Sequence, residues 1–170
     1  MPMDVARHVR PARRPDVVRL AELRHWYLAE TARLEPRFKL LPDARERIQQ
    51  AVSAWLGQED REVLVAEGAA GEGEGEPPVV GYATGLYSVW PPIFRAQRVG
   101  EVSECFVMPT ARGKGLGRAL LDGVIASLVR RGADVLRAPV PSRNDGSVGL
   151  FHALGFAPHL LVMERGPAGR

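Results

Sequence analysis

The chain is predicted to fold as an α/β domain, and three observations carry that expectation. Strand-like and helix-like runs alternate along it. One strand–helix–strand unit, Gly100 to Val140, has the length that joins parallel neighbours by a right-handed crossover. The 170 residues are 45% apolar, enough for one core, and a single domain is expected.

Val5 to Val9 reads as a first strand. Pro15-Asp16 then opens a helix, with Asp16 as the expected N-cap and Val17, Leu20, Ala21, Leu23, Tyr27 and Leu28 on one apolar side. Glu35-Pro36 breaks it. A second helix starts near Pro42-Asp43, carries Ile48, Val52, Trp55 and Leu56, and ends before Gly57, a natural C′ residue. Glu62 to Glu67 and Val79 to Trp90 read as strands. The acidic, glycine-rich stretch 68–78 between them cannot bury a core and is expected to be a mobile hairpin loop. Gly100 to Met108 is the fourth strand and Leu116 to Arg130 the main helix, with Leu116, Leu120, Val124 and Leu128 at four-residue spacing. Ala133 to Val140 is the fifth strand, where Pro139 has no N–H for a central ladder. A short helix, Asp145 to Ala153, and a final strand, Phe156 to Glu164, complete the reading.

The most informative stretch is Arg112-Gly113-Lys114-Gly115-Leu116-Gly117-Arg118, between a strand and a helix. Glycines at alternate positions let the backbone curl and bare its N–H groups at the positive end of a helix dipole, which suits a phosphate. Arg112, Lys114 and Arg118 are expected to add mobile positive charge. A P-loop is excluded, because Lys114 is followed by glycine and not by a hydroxyl residue. A G-x-G-x-x-G dinucleotide loop is excluded too, since its sixth position is Arg118 or Leu120.

What remains is R-x-x-G-x-G with Arg112, Gly115 and Gly117 in the key places. This resembles the diphosphate loop of the GNAT family of N-acetyltransferases, which bind acetyl-CoA. Asn144 to Phe156, ending in Leu154-Gly155-Phe156, is similar to that family's second signature. The resemblance implies a mixed, mostly antiparallel sheet whose parallel fourth and fifth strands splay apart, flanked by helices. It further implies that acetyl-CoA is the co-substrate, lying in the splay. The amides of Cys105, Phe106 and Val107 would meet the acetyl carbonyl and pantetheine, Gly113 through Gly117 the diphosphate, and Asn144 the cofactor or a water beside it.

Acetyl transfer to an amine needs a base more than an acid. A lysine-like amine with a pKa near 10.4 costs about 4.6 kcal/mol to deprotonate at pH 7, whereas a leaving thiol lies only about 1.5 units above neutrality. Glu101 and Glu104 on the fourth strand are the candidate bases, acting directly or through water, and a period of two predicts opposite faces for them. Where the family carries a tyrosine that can protonate the coenzyme A sulfur, this chain has Phe151. Water, direct thiolate departure or Ser147 would then replace it. A non-catalytic acyl-CoA sensor is the alternative this departure raises.

One cysteine, Cys105, excludes an internal disulfide and suits a reducing cytoplasm, and it reads as a buried, inert thiol. The four histidines lack ligand spacing, so no metal site is expected. The net charge is a modest +3, carried by 21 arginines and only two lysines, and no aromatics interleave with them, which argues against nucleic acid. No apolar run spans a membrane and no secretory h-region precedes the first helix. The partner expected is a small-molecule or peptide amine. Trp90 to Phe94 could line its pocket or a dimer face, and a homodimer would close the acceptor side.

Overall fold

The computed structural model describes residues 8–69, 76–163 and 165. They fall into two compact units, divided between Pro139 and Val140.

The first unit is built on a five-stranded sheet in the order β1-β2-β3-β4-β5. The strands are β1 (Val9–Pro11), β2 (Arg61–Glu67), β3 (Val79–Val89), β4 (Arg98–Val107) and β5 (Val135–Arg137). Three pairings are antiparallel and β4–β5 is parallel, as the sequence predicts. Helices α1 (Val17–Leu34) and α2 (Ala44–Trp55) cover one face, and α3 (Leu116–Arg130) the other.

Sheet alternation explains the two layers. Tyr82 and Phe106 turn toward α1 and α2, where they join Leu20, Leu23, Val52 and Trp55 in the core. Gly81 and Gly85 on β3 and Gly100 on β4 turn toward α3. A Cβ at Gly85 would lie 2.6 Å from Val124 Cγ1, and one at Gly100 would lie 2.9 Å from Leu128 Cβ. The helix therefore rests almost on the sheet backbone, with Leu120, Leu121, Val124 and Leu128 fully buried beneath it.

Several boundaries differ from the sequence reading. The first strand runs Val9–Pro11, and the rest of its predicted span, residues 5–7, lies outside the described residues apart from His8. Asp16 precedes α1 but does not cap it. Its carboxylate turns back to accept from the Arg13 amide at 2.7 Å and from the Arg10 guanidinium at 2.8 Å, because a paired charge is worth more than one amide. Gly57 follows α2 without entering the left-handed region, since Leu56 already ends the helix with ordinary helical angles. In the loop 68–78, Gly68 N donates to Pro78 O at 2.8 Å, and 70–75 lie outside the described residues.

β5 is three residues long, not eight: it stops at Arg137, ahead of Pro139, whose missing N–H ends any ladder. β4 and β5 pair from Val99↔Val135 to Glu101↔Arg137 and then part. Beyond Glu101, β4 keeps β3 on one side and no strand on the other among the described residues.

The second unit holds α4 (Asp145–Ala153), with the predicted bounds. Asn144 Oδ1 caps it by accepting from Ser147 N at 3.1 Å. Gly155, at φ 85°, turns the chain so that Phe156 meets the Phe151 ring edge-on at 5.2 Å. The predicted final strand is absent over 156–163, and Glu164 is outside the described residues. Leu160 to Met163 are exposed and pair with no strand, so their β-prone sequence has no ladder to join.

Candidate functional site: a bare strand edge between an anion loop and a carboxylate

At one end of β4, a turn of 3-10 helix (Pro109–Ala111) leads into the glycine loop. Gly113 and Gly115 take φ of 77° and 81°, conformations that side chains resist. Gly115 is the N-cap of α3 and brings no side chain to it; the first helical bond is Ala119 N to Gly115 O at 3.0 Å. The amides of Gly113, Lys114, Gly115, Leu116 and Gly117 consequently donate to no backbone acceptor among the described residues. A Cβ at Gly113 would meet nothing within 4 Å, so the loop is open to a ligand. Five bare donors at the positive end of a helix can hold an anion.

The three basic residues do not act alike. Lys114 is exposed and forms no ion pair among the described residues. Arg118 pairs with Asp122 one turn on, at 3.0 Å. Arg112 corrects the expectation of mobile charge. Its Nε donates to Val107 O at 2.8 Å, its Nη2 reaches both Glu30 oxygens at 2.9 Å, and its guanidinium carbon lies 5.5 Å from the centre of the Phe106 ring. It ties the loop to the end of β4 and to α1.

Along β4, Met108 N donates to Val80 O at 2.8 Å. Strand alternation then sends the Phe106 amide to β3 as well, and the Cys105 and Val107 amides outward to the free edge. Of the three amides expected to face a cofactor, Phe106 is thus used within the sheet. The Cys105 thiol packs over Gly117 O at 3.9 Å, and burial pushes it up to about 12, so it stays protonated and inert at neutral pH.

The two glutamates share a face, contrary to the period-of-two expectation. Thr84 pairs with Glu104 and Gly85 with Val102, so Ser103 is an extra residue, a β-bulge that resets the alternation. Glu101 and Glu104 both turn toward the side of α1 and α2, yet their surroundings differ. Glu104 accepts from Arg24 Nε and Nη2 at 3.2 and 3.0 Å, and from the buried Tyr82 hydroxyl at 2.8 Å. Arg24 in turn lies 4.3 Å from the Trp55 ring, and the pair is only 19% and 14% exposed. Burial raises Tyr82 well above its ordinary value, and the adjacent Glu104 charge adds to this, so the phenol remains a donor. Among the described residues Glu101 has a single partner, Arg137 Nε at 2.8 Å, across the last β4–β5 pair.

Sequence reasoning missed Arg24, Glu30, Tyr82 and Arg137. Only Arg137 left a trace, as a charge two residues before Pro139 in the predicted fifth strand. Within the second unit, Asn144 is the helix cap and Phe151 packs on Phe156.

A strand edge left bare beside a left-handed glycine turn and a helix N-terminus marks an α/β domain whose geometry can hold an extended, anion-bearing ligand. The acetyltransferase (GNAT) family model matches residues 20–156, and the chain belongs to that family. It is 38% identical over 106 residues to an L-methionine sulfoximine/L-methionine sulfone acetyltransferase of Pseudomonas aeruginosa, a match covering 61% of this chain and 56% of that relative. It is 36% identical over 89 residues to a mycothiol acetyltransferase of Amycolatopsis mediterranei, covering 52% of this chain and 30% of the relative. The chain thus spans about half the length, or less, of these relatives. Among solved structures, the tetramutant of the BH1408 protein of Bacillus halodurans shares the fold with a TM-score of 0.76 at 20% identity, covering 94% of this chain and 99% of that one. An aminoglycoside N-acetyltransferase in complex with CoA does so with a TM-score of 0.68 at 15% identity, covering 95% and 94%. Among the described residues, no helix is long and apolar enough to cross a membrane.

Proposed function

We propose that this protein transfers an acetyl group from acetyl-CoA to the primary amine of a small molecule or peptide, by direct attack and with Glu101 as base. The observation that carries this reading is a spatial order along one strand: anion donors at one end of the bare β4 edge, and a half-buried carboxylate where the edge begins. Membership of the family supports it, as do the acetyltransferase names of the relatives and the CoA bound by a protein of the same fold.

Acetyl-CoA, when bound, supplies a thioester whose C–S bond breaks as the amine nitrogen bonds to the acyl carbon. The loop amides and Lys114 fit its diphosphate, and the outward Cys105 and Val107 main chain fits the amide groups of pantetheine. Glu101, directly or through water, takes the proton that the acceptor ammonium must lose. Glu104 is closed off by Arg24 and Tyr82, so its part is to hold β4 against α1. Cys105 carries no acyl group, because its thiol is not ionised at neutral pH. The thiol leaves without a side-chain acid and is protonated by solvent, a step whose small pKa gap of about 1.5 units tolerates that route.

Release of free thiol from acetyl-CoA, measured across a panel of primary amines, tests this. Amine-dependent release that Glu101→Gln suppresses is expected. A second reading, a non-catalytic acyl-CoA sensor, rests on Phe151, whose ring is engaged by Phe156 and gives no proton. Calorimetric binding of acetyl-CoA with no thiol release on any amine would select it.

A further inference from the structure

The Glu101–Arg137 pair is incomplete on both sides. Arg137 uses only Nε toward Glu101 Oε2, and its side chain is 50% exposed. Its two terminal nitrogens and Glu101 Oε1 form no hydrogen bond among the described residues. The guanidinium lies 5.8 Å from the Trp90 ring, and Trp90 stacks edge-on against the half-exposed Phe94 at 6.1 Å. One anion, one cation and an apolar wall therefore converge at the last residue pair before β4 and β5 part.

These unused groups are complementary to a zwitterion. A guanidinium with its terminal edge open takes a carboxylate in a fork, whereas a carboxylate with one oxygen open takes an ammonium. In an α-amino acid both charged groups are carried by the same carbon, so one molecule can meet both partners while the salt bridge itself stays closed. A neutral or purely cationic amine would leave the Arg137 edge unmet.

We infer that Arg137 is a specificity-determining residue that receives the carboxylate of an α-amino acid whose amine faces Glu101, with its side chain against Trp90 and Phe94. This rests on the acetyl-transfer reading above and names the acceptor class for that same site.

The test compares L-leucine, L-methionine and L-phenylalanine with isopentylamine, 3-(methylthio)propylamine and 2-phenylethylamine, which lack only the carboxylate. With rates compared per neutral amine, because the carboxylate also alters the amine's basicity, kcat/KM of the native protein should favour each amino acid by about tenfold or more, the worth of a charged hydrogen-bonded contact. In Arg137→Gln that ratio should fall to within about twofold of unity, and in Arg137→Lys, a point charge without a fork, it should be partly kept. A merely structural role would lower both members of each pair together and leave the ratio intact, which would overturn the inference. So would a native protein indifferent to the carboxylate. Calorimetry of the same compounds with coenzyme A present separates this idea from turnover. Amino-acid binding that Arg137→Gln abolishes, without any thiol release, would keep the recognition role and end the acetyl-transfer reading; no binding and no release would end both.

Discussion

Arg112 and Glu30, 82 residues apart in the chain, meet at 2.9 Å, and this contact joins the start of the anion loop to the last turns of α1. The same arginine closes the end of β4 through Val107 O. The pair is 48% and 38% exposed, so its energetic worth is small, about 1 kcal/mol or less. Glu30→Gln should raise KM for acetyl-CoA by no more than about fivefold. Arg112→Ala, which also frees a carbonyl and uncovers Phe106, should raise it further. Steady-state kinetics on both single variants and the double variant would measure the coupling, and strict additivity would show that Arg112 does not work through Glu30.

Two glycines of the loop should differ in what alanine does to stability. Gly115→Ala forces a side chain into a left-handed backbone, at about 1–2 kcal/mol, so melting temperature and cofactor binding should fall together. Gly117 is already helical, and a Cβ there would lie 3.8 Å from Val107 Cγ2, an ordinary contact. Gly117→Ala should hold or raise thermal stability by up to about 1 kcal/mol while weakening acetyl-CoA, because it adds a methyl to a residue whose own amide is one of the bare donors. Calorimetry beside a thermal melt checks both.

Glu101 and Glu104 should separate by what their amides do. Glu104→Gln leaves Arg24 half-neutralised in a nearly buried site and should cost about 2–4 kcal/mol of stability. Glu101→Gln should cost less than about 1 kcal/mol, since its pair is exposed on the arginine side. Its effect should fall on kcat/KM, about 10²–10⁴-fold at pH 7 and less at pH 9, where more of the acceptor is already neutral. Denaturant melts and pH–rate profiles distinguish the two, and a flat profile in Glu101→Gln would remove it as base.

α3 was located to the residue because Leu116, Leu120, Val124 and Leu128 keep helical spacing straight after the glycine loop, and α4 because residues 144–156 resemble a family signature that runs from Asn144 to Leu154-Gly155-Phe156. The parallel pairing of β4 and β5 followed from connection length. The shared face of the two glutamates was illegible, since Ser103 is an ordinary strand residue and its bulge exists only against the register of β3. The role of Arg112 was misread for a similar reason: a loop arginine looks free until a helix far away in sequence brings Glu30 to it. Asp16 had the residue type of a cap, and only the fold set Arg10 beside it as a stronger partner.

That Arg10–Asp16 contact makes acid stability predictable. The guanidinium holds the Asp16 carboxyl below its ordinary range, and the side chain is 9% exposed. A carboxyl with a depressed folded-state value stabilises the protein above the unfolded value near 3.9, and this is lost as pH falls through the folded value. Asp16→Asn should therefore melt well below the native protein at pH 7, with the gap closing at pH values under 4. A gap independent of pH would show that the charge is not the cause.

Cys105 offers a readout of the β4 edge. With its thiol pushed up to about 12, alkylation by iodoacetamide at pH 8 should be slow in the folded protein and fast in denaturant. Cys105→Ala should keep amine-dependent thiol release, as direct transfer requires. Loss of release with folding intact would point to a covalent route.

The close seating of α3 has a consequence for reading natural variation. Gly81, Gly85 and Gly100 meet helix side chains or sheet backbone so tightly that even alanine would wedge the layers apart and carry the anion loop with them. A homologue that seats its helix as closely has no room for a side chain at these three places, and a survey that ranks positions by invariance would then mistake the floor for the machinery.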